Sequence, residues 1–128
     1  MSTLNVSNLS DGSTSVGTSY VVNGSAKAWV SVNQQGTMTV LDSQNVASIV
    51  DHGTGATEVN FSNSMANSSY TIASLVRGVS GVANCVSELV PAIAPTSSQY
   101  RIAGIQAGSS NSNIDVPNIY GNTFGDLA

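Results

Sequence analysis

Charge is what this sequence has least of. Charged side chains make up 8% of its 128 residues, three Lys or Arg against seven Asp or Glu, where an ordinary soluble domain has about 25%. Catalytic sites and nucleic-acid surfaces are built largely from ionisable groups, so the shortage works against both. A net charge of −4 further disfavours capture of DNA, RNA or anionic lipid. Lys27, Arg77 and Arg101 lie far apart and form no basic run. The single cysteine, Cys85, permits neither an intramolecular disulfide nor a Cys-based zinc site, and is expected as a buried, inert thiol.

Long apolar runs are missing as well. No stretch reaches the ~18 apolar residues that a membrane-spanning helix needs, so membrane insertion is not expected. The opening Met1-Ser2-Thr3-Leu4-Asn5 has neither a basic segment nor an apolar one, which predicts synthesis in a cytoplasm without a secretory signal. Several Asn-X-Ser sequons, among them Asn5-Val6-Ser7 and Asn60-Phe61-Ser62, then carry no meaning. The length fits one domain. Apolar residues, at 41%, are ordinary in number; Ser, Asn, Thr and Gly take the place of charge and imply a neutral, hydrogen-bonding surface.

The apolar residues that are present recur with a period of two, the mark of half-buried strands. Ala26, Ala28, Val30 and Val32 fall on one face, Lys27, Trp29 and Ser31 on the other. Asn33-Gln34-Gln35-Gly36 reads as a turn, followed by a strand with Met38 and Val40 inward. Val46–Val50 ends at the loop Asp51-His52-Gly53-Thr54-Gly55, and Val59 and Phe61 alternate inward after it. Tyr70–Val76, Cys85–Val90, Tyr100–Gln106 and one or two strands within Ile114–Phe124 complete the pattern, with Pro91 and Pro95 ending the second of these. The fold class is therefore all-β, an antiparallel sandwich or barrel-like domain of about 7–8 short strands with almost no helix.

Residues 1–25 differ from the rest. Their few apolar side chains cannot close a core, and Asn23-Gly24 reads as a turn. They form an extended attachment or assembly arm, with Leu4, Val6, Tyr20, Val21 and Val22 as its candidate contacts, ahead of a β-sandwich domain over residues 26–128.

Little in the sequence can carry chemistry. The only histidine, His52, stands next to Asp51, and adjacent residues in extended chain point opposite ways, so the two make a poor catalytic dyad. It reads as a solvated turn residue. Asp42, Asp51, Glu58, Glu88, Asp115 and Asp126 read as strand-end and turn carboxylates that confer solubility rather than a glycosidase pair. No catalytic residue, cofactor site or metal site is assigned. Trp29 and Tyr100, set among abundant amides, are the candidate residues for surface recognition, stacking on a sugar ring.

In order, Ala26-Lys27-Ala28-Trp29-Val30, Asp42-Ser43-Gln44-Asn45-Val46-Ala47-Ser48-Ile49, Asp51-His52-Gly53-Thr54-Gly55, Val59-Asn60-Phe61-Ser62, Met65-Ala66-Asn67-Ser68-Ser69-Tyr70 and Phe124-Gly125-Asp126 resemble a family of phage tail-fibre domains. His52 stands where that family tends to have Asn, and Leu41 where it has a basic residue. The resemblance implies a non-enzymatic virion structural protein, made in the host cytoplasm and placed in the virion tail. It implies a homotrimer whose arm meets other tail proteins and whose loops reach a host-surface glycan or protein. The short arm implies a small, directly anchored fibre rather than a long one. A lectin-like glycan-binding module and a head-decoration protein are the alternatives.

Overall fold

Alternation of Ala28, Val30 and Val32 with Trp29, Ser31 and Asn33 produces a strand, β3 (Ala28–Asn33), whose odd and even residues part between solvent and core. A computed structural model describes residues 2–82, 84–90, 92–108 and 111–128. Pro91, expected to end a strand, lies outside the described residues. Within these, β3 is joined by β4 (Thr39–Gln44), β5 (Val46–Asp51), β6 (Ala56–Phe61), β7 (Thr71–Arg77), β8 (Cys85–Leu89), β9 (Gln99–Gln106), the two-residue β10 (Ser112–Asn113) and β11 (Asn118–Phe124).

Two antiparallel sheets result. One has the order β4-β3-β11-β7. In the other, β9 is bordered by β8 on one edge and by β6 and then β10 on the other, with β5 outside β6. The all-β sandwich read from the sequence is what forms, with more and shorter strands. Its core is Ala28, Val30, Val32, Val59, Phe61, Met65, Tyr100, Ile102, Val116 and Ile119. Phe61 sits at its centre, 5.6 Å from the ring of Tyr70 at 72° and 5.6 Å from that of Tyr100, separations at which aromatic pairs attract beyond their burial.

A polar hub closes one end of the sandwich. Gln34, expected in an open turn, is buried at 2% exposure. Its Nε2 donates to the Gly55 carbonyl at 2.7 Å and to Thr57 Oγ1 at 2.9 Å, while its Oε1 accepts the Val116 N–H at 3.2 Å. A buried amide is tolerable because its groups are bonded in this way. Gly55 N–H donates to Asp115 Oδ1 at 2.5 Å, and Gly104 N–H to the Gly55 carbonyl at 2.9 Å. Gly55 has φ +71°, and a Cβ there would lie 2.7–2.9 Å from Gly104 O and Ile114 N and O. Only glycine fits.

Ahead of the sandwich, β1 (Asn8–Ser10) and β2 (Ser15–Gly17) form a two-stranded hairpin, followed by the helix α1 (Thr18–Gly24). The helix corrects the reading of Asn23-Gly24 as a hairpin turn: both residues close the helix, whose following residue Ser25 donates its N–H to the Val21 carbonyl. Two further expectations change. Val40 is 40% exposed rather than inward, because β4 bulges between the partners of Ser31 and Val32 and leaves Leu41 as an extra residue. Cys85 is half-buried on β8 rather than fully buried.

Candidate functional site

The arm exposes the apolar side chains the sequence marks as contacts. Leu4 is 79% exposed, Tyr20 75% and Val22 59%, and Val6 and Val21 are open too, as are Leu9 and Val16 on the hairpin. No residue of α1 is buried. A two-stranded hairpin and a seven-residue helix are each marginal alone in water. Local devices hold them instead. Asp11 accepts the N–H groups of Thr14 and Ser13 at 2.8 and 2.9 Å, and these bonds lower its pKa to about 2. Lys27 donates its ammonium to the Val22 carbonyl, and to Ser25 Oγ at 2.9 Å. A cation there satisfies free carbonyls at the negative end of the helix.

A second exposed surface is the outer face of β4-β3-β11-β7. Register places Gln44, Trp29, Asn122 and Ala73 in one row across it, and Asp42, Ser31, Tyr120 and Leu75 in the next. Asn118 and Arg77 pair beyond them. Trp29 is half-exposed, and its Nε1 donates to Gln44 Oε1 at 2.8 Å. Leu75 is 68% exposed. This face is aromatic and amide-rich, suited to contact with protein or sugar.

Tyr100 is not part of either surface. It is 1% exposed, because its register opposite Val59 turns it inward with Ile102. Burial pushes its phenol up to about 12. Tyr100 is thus a core residue, which corrects its assignment to surface recognition. Tyr120, on the exposed face beside Ser31 and Leu75, occupies the position sequence reasoning sought.

The third feature was not legible from sequence. Glu58, read as a solubilising carboxylate, is mid-strand and 8% exposed. Its Oε2 accepts Arg101 Nε at 2.8 Å and lies 3.2 Å from His52 Nε2; Asn60 Nδ2 reaches Oε1 at 3.4 Å. Burial raises the Glu58 pKa, but the Arg101 hydrogen bond, Asn60, the Arg101 charge and His52 together outweigh it, leaving the carboxyl below its usual value. His52 is therefore held against a carboxylate rather than freely solvated. Among the described residues the hydrogen-bond partner of His52 Nε2 is Glu58, and no hydroxyl or thiol is bonded to it. The cluster's evident work is cross-strand pairing of β6 with β9.

Among the described residues no three His, Cys, Asp or Glu side chains gather into a metal-ligating group, and no helix is long and apolar enough to cross a membrane. Compared with known proteins, the chain matches no family model, no curated protein and no solved structure.

Proposed function

We propose that this chain is a non-enzymatic phage virion structural protein, a short tail fibre or distal fibre domain that trimerises and uses its N-terminal arm for assembly. The observation that carries the reading is the arm: from Leu4 to Val22 it presents large apolar side chains to solvent and buries none of α1. Apolar surface displayed on an ordered segment marks an interaction site. The motif order in the sandwich supplies the fibre context, and the scarcity of charge suits surfaces that face other protein.

The test is deletion of residues 2–22. No described arm residue belongs to the hydrophobic core, so the truncated chain should stay folded by circular dichroism and fail to join particles when supplied to infected cells in place of the full chain. Full incorporation of the truncated chain would refute the assembly role.

One observation favours a second reading as a glycan-binding module. Trp29 is oriented by Gln44 on a face that also holds Tyr120 and Asn122, the ring-plus-amide arrangement that stacks and hydrogen-bonds a sugar. Saturable binding on a glycan array, lost in both Trp29→Ala and Tyr120→Ala, would support it.

A further inference from the structure

Of the three basic residues, two are used within their own chain. Lys27 closes α1 and Arg101 is bonded to Glu58. Arg77 is different: it is exposed, and among the described residues no carboxylate lies within 4 Å of it. Asp42 is also exposed, its Oδ1 bonded to the N–H of Ser43 beside it. These two are the only Asp, Glu, Lys or Arg residues on the strands β4, β3, β11 and β7. They occupy opposite margins of one face, Asp42 on β4 and Arg77 on β7, separated by three strand spacings, roughly 14 Å across the sheet, with Asp42 level with Leu75 rather than Arg77 along the strands. Each margin also carries an exposed leucine, Leu41 at 53% beside Asp42 and Leu75 at 68% two residues from Arg77.

We infer that this sheet face is the interface between copies of the chain, with the Leu75–Arg77 margin of one subunit seated on the Leu41–Asp42 margin of the next. Charge complementarity selects a second copy as occupant: the face carries one charge of each sign, separated, with a neutral field of Ser31, Trp29, Tyr120 and Asn122 between. Strand-to-strand extension is not the mode, because the bulge at Leu41 interrupts the free edge of β4. Contact is through side chains. A two-fold arrangement would use both margins at one interface and stop at a dimer. A head-to-tail arrangement spends Asp42 on one neighbour and Arg77 on the other and can close into a ring. The trimer of the proposed function requires the second, and the inference rests on that reading.

The experiment is the mass of the full chain by sedimentation velocity across a concentration series, for wild type, Asp42→Arg, Arg77→Asp, the double swap and Leu75→Glu. All three positions are exposed, so each variant should keep the wild-type circular dichroism spectrum. Wild type should be trimeric. Each single charge reversal and Leu75→Glu should raise the midpoint concentration for assembly at least ~10-fold, since like charges then face each other or a charge is buried in the contact, and the double swap should return it towards wild type. A trimer indifferent to all four variants would overturn this interface while leaving the fibre reading standing, as would a double swap no better than the singles. A wild-type dimer would overturn the ring. A wild-type monomer that binds an acidic glycan through Arg77 would overturn both the interface and the trimeric reading.

Discussion

Glu58 on β6 and Arg101 on β9 stand directly opposite each other in the sheet register, and the Arg101 Nε donates to Glu58 Oε2 at 2.8 Å. With side chains 10% and 21% exposed, the pair is sheltered enough that losing one partner strands the other. Glu58→Ala should destabilise the domain by about 2 kcal/mol, measured as a shift of the urea midpoint at unchanged slope.

The same carboxylate predicts a pH dependence. Its folded pKa lies below the unfolded value, ordinarily 4.5, so its contribution is complete above that value and fades as pH falls through the folded pKa. Thermal unfolding followed between neutral pH and pH 3 should show wild type losing stability below about pH 4.5, with Glu58→Gln losing less over the same window. Parallel curves for the two proteins would contradict this.

Gly55 is expected to be intolerant. Alanine there meets both a left-handed backbone and three backbone atoms within 2.9 Å, and those atoms belong to β9 and the segment leading to Asp115 that Gln34 also holds. Gly55→Ala should cost about 2–4 kcal/mol. Gly53, also at positive φ, has nothing within 4 Å of such a Cβ, so Gly53→Ala should cost about 1 kcal/mol. Melting temperatures of the two variants make the comparison.

Thr123 predicts the opposite sign. Its hydroxyl is buried and has no hydrogen-bond partner among the described residues, and an unsatisfied hydroxyl is a standing cost. Thr123→Val removes it at nearly constant shape and should stabilise the domain by about 1 kcal/mol, whereas Thr123→Ser keeps the hydroxyl, loses a methyl and should destabilise it. Equilibrium unfolding of both variants decides.

What the sequence reveals here is what neighbouring residues decide. The alternation Ala28, Val30, Val32 determines which face β3 buries, and Tyr100 and Ile102 do the same for β9. The misplacement of Tyr100 as a surface residue came from its residue type, although the same alternation put it beside Ile102. Long-range pairing was hidden: Arg101 is 43 residues from Glu58, and Val116 is 82 from Gln34. No local pattern announces such partners. The helix α1 was hidden for another reason, since Val and Tyr are poor helix formers and Asn-Gly favours a turn. The exposed arm residues were legible, because too few apolar side chains stood together to bury themselves.

A chain that works by associating should show it in the mass of the protein in solution. Light scattering at micromolar concentration should give about three times the 13.0 kDa of one chain. A stable species of one chain mass would contradict it.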